Sequence, residues 1–168
     1  TVVLLRETAA ERHIRQQELE ALKKQLEFVT VAVQRCEGLK NLELLGTSDP
    51  FTTVTLVQPD GSNVQHKTRT VDACLEPEWN QRFEFETNAA QRTQGELEGK
   101  LVLEVLDEDV TSDARMGRVE LLLSELVQAG DGEQHVAMDG KAGGTLHFWC
   151  KWETEEQREA RRKGNERA

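Results

Sequence analysis

The chain has 168 residues, of which 37% are apolar and 31% charged, and its 31 acidic side chains outnumber the 21 basic ones. These totals fit one ordinary domain with additional helix, and no stretch reaches the ~18–20 apolar residues that span a bilayer. Residues 27–152 hold the acidity, with 22 acids against 11 bases, while the segments on either side are nearly neutral. Such a body repels nucleic-acid phosphates, so nucleic acid is excluded as a partner.

Three cysteines, Cys36, Cys74 and Cys150, form no Cys-x-x-Cys pair, and their number is odd. This pattern argues against a disulfide framework or a zinc site and predicts small thiols in a reducing, cytoplasmic setting. The opening "TVVLL" is too short for a signal-peptide core, and the chain begins without Met inside a predicted helix. We therefore expect it to be a piece of a longer protein.

Residues 1–26 predict an amphipathic helix, because "AAERHIRQQELEALKKQL" contains strong helix formers and lacks Gly and Pro. Leu19, Leu22 and Leu26 recur at spacings of three and four, and Leu5 lies two heptads before Leu19. One interpretation is the end of a coiled coil that forms a homodimer. The alternative is a single helix that packs on its own domain.

Residues 27–152 predict an all-β domain, since β-branched and aromatic residues alternate with polar ones in about eight short segments. "QPDGSN" has the residues of a hairpin turn, and "SELVQAG" predicts a short helix capped by Ser124 and ended by Gly130. The predicted strands are 28–33, 51–57, 66–71, 82–87, 100–107, 117–123, 134–138 and 145–152. The charged segment that follows, 153–168, predicts a short exposed helix or linker without an apolar stripe.

Four motifs follow one another in the predicted β domain: "TSDPF", the basic "HKTRT", "EPEWN" and "DEDVTSDARMG". In order and spacing they resemble the C2 domain family from about Phe28 to Trp152. The resemblance implies an eight-stranded antiparallel C2 β-sandwich at 27–152, with the N-terminal helix and the charged C-terminal helix outside it. It also implies that the loops carrying the first and last motifs meet at one end.

The same resemblance implies a calcium site, since clustered carboxylates supply the oxygen ligands that calcium prefers. Two positions depart from the family pattern: Glu43 stands where an aspartate is usual, and Ala114 replaces the last aspartate, for which Asp113 could substitute. The alternative is a degenerate loop whose acids are only solvated. The candidate ligands are Glu43, Asp49, Asp107, Asp109, Ser112 and Asp113.

Beside the acids lie apolar residues that the family often inserts into a bilayer. Leu44 and Leu45 follow Glu43, and Val110 lies near the tip of the other acidic loop. Exposed apolar residues of this kind predict an interaction site, here an anionic phospholipid membrane. The alternative is that one leucine packs inward between the loops.

A basic strand is a second site that the family uses for phosphoinositides or proteins. Here Lys67 and Arg69 would share one face of a strand, with His66 before them and Arg82 on the next strand. The alternative interpretation is an ordinary solvated sheet edge.

No catalytic motif such as Gly-x-Ser-x-Gly, a P-loop or His-Glu-x-x-His is present, so we expect no enzyme within these residues. Two functions remain open. The first is a calcium-regulated, membrane-binding module at the end of a coiled coil. The second is a calcium-independent, protein-binding module of a coiled-coil cytoskeletal or ciliary scaffold. The predicted location is cytoplasmic, peripheral to a membrane or bound to the cytoskeleton.

Overall fold

The structure, a computed structural model, describes residues 6–24, 26–88, 99–109 and 112–166. Within these residues the chain forms three helices and eight strands. None of the helices in the described part of the chain is both long and apolar enough to cross a bilayer. In chain order the elements are α1 (Ala9–Lys24), β1 (Leu26–Glu37), β2 (Pro50–Val57), β3 (Asn63–Lys67), β4 (Glu78–Asn88), β5 (Lys100–Asp107), β6 (Ala114–Leu122), α2 (Leu123–Ala129), β7 (Gly132–Ala137), β8 (Thr145–Thr154) and α3 (Glu155–Glu166).

The strands form two four-stranded antiparallel sheets, which confirms the predicted sandwich. Sheet A has the order β4-β1-β8-β7, and sheet B has the order β3-β2-β5-β6. Alternate residues of each central strand point inward, so both sheets contribute to one hydrophobic core. Core residues from these central strands include Val29, Val31, Val33, Val54, Leu56, Leu101, Leu103, Val105, Leu146 and Phe148.

The antiparallel connections place the loops between β1 and β2, β3 and β4, β5 and β6, and β7 and β8 at one end of the sandwich. We call this end the loop tip, made of the described residues 38–49, 68–77, 108–109, 112–113 and 138–144. The strand ends that join α1, α2 and α3 lie at the opposite end. The fold thus separates the candidate site from all three helices by the length of the sheets.

The basic strand is shorter than predicted, ending at Lys67 instead of residue 71. Thr68 ends this strand because its side chain takes the place of a backbone acceptor. The Thr68 Oγ1 atom accepts the Thr52 amide at 2.9 Å, and the Thr68 amide donates to the Thr52 carbonyl at 2.8 Å. The Arg69 amide then donates to the Gln81 side chain at 2.7 Å. The predicted hairpin turn before β3 is present. The Gln58 amide donates to the Ser62 carbonyl at 2.7 Å, and the Gly61 amide donates to the Gln58 carbonyl at 2.9 Å.

The N-terminal helix ends at Lys24, not residue 26, because Leu26 is already the first residue of β1. Thr8 and Glu11 form a reciprocal cap at its start, each backbone amide donating to the other's side chain at 3.1 Å. Leu19 is exposed, Leu5 lies outside the described residues, and the side chain of Leu22 is not described. The coiled-coil seam therefore stays a prediction and cannot extend to Leu26.

Helix α2 begins two residues earlier than predicted and has no side-chain cap. Leu122 occupies the cap position instead of Ser124, and the Leu123 amide is satisfied by the Gly99 carbonyl at 2.9 Å. Gly130 ends the helix with φ +75°, as predicted.

The charged C-terminal segment forms the predicted helix, and most of its described residues are exposed, while Arg158 and Arg161 attach one side of it to sheet A. Thr154 and Gln157 cap its start reciprocally. The Arg158 guanidinium lies 3.9 Å from the centre of the Phe28 ring and forms an ion pair with Glu84 at 2.8 Å. Cation–π stacking thus replaces the missing apolar stripe.

A second arginine of α3 holds a buried carboxylate. Arg161 donates to both oxygens of Glu153, at 3.2 and 2.7 Å, and lowers the pKa of that carboxyl. Lys151 adds a weaker ion pair at 3.6 Å. The helix is therefore fixed to β8 by a bidentate pair whose acceptor is almost fully buried.

Two of the three thiols are buried, as predicted. Burial raises the pKa of Cys36 and of Cys150 to about 12, so both stay protonated at neutral pH. Cys74 is partly exposed, and no disulfide links the cysteines.

We predict that Arg161→Ala lowers the free energy of unfolding by about 1–3 kcal/mol at pH 7, because it leaves the buried Glu153 carboxylate poorly compensated. The lowered pKa of Glu153 contributes stability above the ordinary pKa of glutamate, and this is lost as pH falls through the folded-state pKa. The loss on substitution should therefore shrink toward acid pH in urea unfolding. Arg162→Ala, an exposed neighbour, is the control, and equal losses from both variants would contradict the role of the pair.

Candidate functional site

The first acidic loop is organised by two polar side chains. The Oδ1 atom of Asn41 accepts the Glu43 amide at 3.2 Å and both the amide and hydroxyl of Ser48, at 2.9 and 3.0 Å. Its Nδ2 donates to the Gly46 carbonyl at 2.7 Å, and the buried Ser48 Oγ accepts the Leu42 amide at 2.9 Å. These bonds give the loop a fixed shape, a role of Asn41 and Ser48 that the sequence analysis missed.

The turn of this loop presents its two leucines to solvent. Leu44 and Leu45 have relative exposures of 101% and 94%, so the alternative of inward packing is wrong for both. Gly46 follows them at φ +89°, where a side chain would be strained. Adjacent, fully exposed leucines on a hydrogen-bonded loop are typical of interaction surfaces, and such a role for Leu44 and Leu45 stays a prediction.

Asp49 and Asp107 join the loops of the tip. The buried Asp107 accepts the Asp49 amide on Oδ1 at 2.8 Å, and the Glu108 amide donates to the Asp49 carbonyl at 2.9 Å. The Asp49 carboxylate in turn accepts the amide of Ala73 at 2.6 Å. One aspartate pair therefore ties together the loops after β1, β3 and β5.

Glu43 reaches the same place from the first loop, as the family resemblance suggested. A hydrogen bond to the Asp107 carboxylate is the main reason that its pKa is raised, followed by the negative charge of Asp107 itself, desolvation, and the charges of Asp109 and Asp49. The extra methylene of glutamate thus does not keep this carboxyl away from the aspartates. Four carboxyl groups share one electrostatic environment.

The remaining candidates lie along the second acidic loop. Asp113 Oδ1 accepts the Asp109 amide at 3.2 Å, so it holds the loop backbone. Ser112 is exposed, and Val110 lies outside the described residues. Ala114 pairs with Asp107 in the β5–β6 ladder, which places a methyl group where the family usually has a carboxylate.

The carboxylates converge without forming a finished metal cage. Within the described ranges, no three His, Cys, Asp or Glu side chains are arranged to hold one metal ion. The donor set nevertheless fits a hard cation, because its carboxylate oxygens are the ligands that calcium prefers and their crowding raises the pKa of Glu43.

The basic residues do not form a continuous patch. Lys67 Nζ lies 6.0 Å from the centre of the Phe51 ring. Arg69 lies beyond the end of β3 and donates to the Glu78 carbonyl at 3.3 Å, so strand alternation does not place the two on one face. A binding role for them stays a prediction.

Two histidines that look scattered in the sequence meet on sheet A. His135 and His147 are cross-strand partners in the β7–β8 ladder, and their Nδ1 atoms are in contact. His147 Nε2 also lies 2.9 Å from the Glu37 carboxylate. Only the strand register, which the sequence does not give directly, could have revealed this pair.

Two antiparallel sheets with converging acidic loops at one end define a β-sandwich domain with an acidic loop tip. The family model for the C2 domain matches residues 27–138, and the chain belongs to this family. The predicted 27–152 boundary stays a prediction, although β8, beyond the match, is a central strand of sheet A.

Individual relatives agree with this assignment. Synaptotagmin-4 of Arabidopsis thaliana is 32% identical over 124 residues, which cover 74% of this chain and 20% of that protein. A calcium-dependent lipid-binding protein of Arabidopsis thaliana is 38% identical over 96 residues, covering 57% and 17%. A solved C2 domain of plant extended synaptotagmin 1 superposes with a TM-score of 0.63 at 27% identity, covering 76% and 94%. The chain thus spans a fifth or less of the two full-length relatives.

We predict that Glu43→Gln stabilises the calcium-free protein at pH 7. Glutamine removes a charge next to Asp107 and, unlike ionised glutamate, can donate a hydrogen bond to it. Because the pKa of Glu43 is raised in the folded protein, ionised Glu43 lowers the free energy of unfolding at pH values above that pKa. This loss disappears when the pH falls to the ordinary pKa of glutamate, about 4.3, since Glu43 is then protonated. Melting temperatures in chelator should therefore rise at pH 7 and converge with those of the unmodified chain near pH 4.

The control for this prediction is Glu108→Gln, which removes the same charge from an exposed position on the loop tip. An equal rise in melting temperature for both variants would mean that only the net charge matters, and the special environment of Glu43 would be contradicted.

Proposed function

We propose that the chain is a non-enzymatic module that binds calcium at its loop tip and then binds an anionic phospholipid membrane. The observation that carries this proposal is the convergence of Glu43, Asp49, Asp107 and Asp109 directly beside exposed Leu44 and Leu45. The name of one relative, a calcium-dependent lipid-binding protein, supports the same function. The protein would then lie in the cytoplasm at a membrane surface.

The proposed ligands of calcium are these four carboxylates, with Ser112 and Asp113 as further oxygen donors. Calcium takes about six to eight oxygens, so water or lipid phosphate would complete its shell. When bound, calcium supplies positive charge that offsets carboxylate repulsion. Asp107 is held in place by the Asp49 amide before any ion arrives.

Membrane attachment is proposed to need both neutralisation of the acidic loop tip by calcium and insertion of apolar side chains into the bilayer. Residues 27–152 carry a net charge of −11, which an anionic bilayer repels until the tip is neutralised. Transfer of the Leu44 and Leu45 side chains from water into the bilayer then lowers the free energy of the bound state. Val110 is a further candidate for insertion. The fixed shape of the loop lowers the entropy cost of presenting the two leucines.

A second candidate function is a calcium-independent module that binds proteins through its helical flank. Ile14 and Leu19 of α1 are about half exposed, which leaves apolar area for a second copy or a scaffold partner of the cytoskeleton. The absence of calcium binding, together with self-association that is lost on deleting residues 1–24, would favour this function.

We predict that calcium raises the melting temperature of the chain and that Asp107→Asn/Asp109→Asn abolishes the rise, because binding to the folded state stabilises it by mass action. Asparagine keeps an acceptor for the Asp49 amide, so the loop connection is preserved. Calorimetric titration with magnesium as the competing ion measures the affinity. A calcium-induced shift that survives the double substitution would contradict the assigned ligands.

We predict that Leu44→Ser/Leu45→Ser weakens calcium-dependent binding to phosphatidylserine vesicles at least tenfold and leaves calcium affinity in solution unchanged. The expected loss follows from apolar area that no longer leaves water, about 1.5–3 kcal/mol for each fully buried leucine. Val64→Ser, a half-exposed apolar residue on β3, is the matched control. Unchanged vesicle sedimentation for the double variant would exclude insertion of this loop.

A further inference from the structure

We infer that His135 and His147 form a binding site for a borderline transition-metal ion such as Zn²⁺ or Cu²⁺ on the outer face of sheet A. This site is separate from the acidic loop tip and uses nitrogen ligands instead of carboxylate oxygens. It rests on geometry that does not depend on the calcium proposal.

The two imidazoles are directed at each other by the strand register. His135 and His147 are opposite one another in the β7–β8 ladder, with ring centres 4.4 Å apart and planes at 69°. Their Nδ1 atoms are in contact. A hydrogen bond between them can use only one proton, so at least one Nδ1 presents a lone pair.

His147 Nε2 lies within hydrogen-bond distance of a carboxylate, which favours a lone pair on the His147 Nδ1 atom that faces His135. His147 Nε2 lies 2.9 Å from Glu37 Oε1, and His135 Nε2 lies 3.9 Å from Glu133 Oε2. The longer distance at His135 Nε2 is not a hydrogen bond, so the tautomer of His135 is not fixed in this way. A carboxylate that accepts Nε2–H fixes the tautomer in which Nδ1 is unprotonated. This carboxylate–histidine arrangement is common behind metal-bound histidines, where it orients the ring and raises its basicity.

The surrounding charges suit a cation. Glu37 and Glu133 contribute two negative charges, and Arg35, paired with Glu37 at 3.2 Å, contributes one positive charge. The Glu37 carboxylate accepts a hydrogen bond from Arg35 at 3.2 Å and faces His147 Nε2 at 2.9 Å, so it is held beside the histidine pair. The local charge is therefore −1 when both rings are neutral.

The site is accessible from one side. The His147 side chain is only 9% exposed, while that of His135 is 53% exposed. An ion would enter beside His135 and separate the two rings slightly. Two metal–nitrogen bonds would replace the N–N hydrogen bond, and the proton shared by the two Nδ1 atoms would move to His135 Nε2 or to water. Since the described residues offer no group of three ligands, water would fill the remaining positions.

The test is calorimetric titration of residues 1–168 with Zn²⁺, in an Asp107→Asn/Asp109→Asn background that removes the acidic tip as a competing site. We expect one saturable site, with affinity reduced at least tenfold by His135→Gln and about 10–100-fold by Glu37→Gln. His13→Gln, on exposed α1, is the matched control and should change nothing. Because His135 is half exposed, its substitution should leave the protein folded.

Spectroscopy gives a second readout. Cu²⁺ bound to this background should show electron paramagnetic resonance splitting from two nitrogens, reduced to one by His135→Gln. Zn²⁺ should also slow hydrogen exchange of β7 amides by linking this edge strand to β8. Zinc affinity that is unchanged by His135→Gln, or no saturable binding below about 1 mM, a free energy of about −4 kcal/mol, would overturn the proposal.

Discussion

The loop tip depends on one buried carboxylate, Asp107, at the end of β5. Its bond to the Asp49 amide closes the loop after β1 onto the loop after β5, and Asp49 extends the connection to Ala73. A buried carboxylate needs hydrogen-bond partners, because burying it without them would raise the free energy of the folded state. The Asp49 amide supplies one such bond at 2.8 Å, and the carboxyl groups of Glu43, Asp49 and Asp109 lie near this carboxylate.

The crowding of carboxylates at the loop tip lowers the stability of the folded state, and it is the same feature that would favour binding of a cation. Glu43 lies against Asp107 with a raised pKa, which means that the folded state bears carboxylate repulsion at neutral pH. The hydrogen bonds of Asn41 and Ser48 keep the first loop from moving away to relieve it. Removing either support would let the loop relax and disperse the charge. The same hydrogen bonds also hold Leu44 and Leu45 in water. One set of polar contacts therefore maintains two unfavourable features, the carboxylate repulsion and the exposed leucines.

Much of the fold and part of the tip could be predicted from the sequence. Alternation and turn residues identify the eight strands, and the family motifs place Asp49, Asp107 and Asp109 together. The ends of β3 and α2 were misplaced because backbone bonds of Thr68 and Leu123 override local propensity. Docking of α3 was missed because Arg158 stacks on Phe28, and hydropathy does not score an arginine as a packing residue. The His135–His147 contact depends on register, which periodicity alone does not fix.

The opposite placement of loop tip and helices has a geometric consequence. Strand β2 has eight residues and spans about 26 Å from the tip to the far end. With the leucines in a bilayer, α1 and α3 stand that far from its surface, about three times the Debye length of ~8 Å at physiological salt. In the proposed membrane-bound state the two sheets would therefore act as a rigid spacer that keeps α1 and α3 outside the surface potential of the membrane.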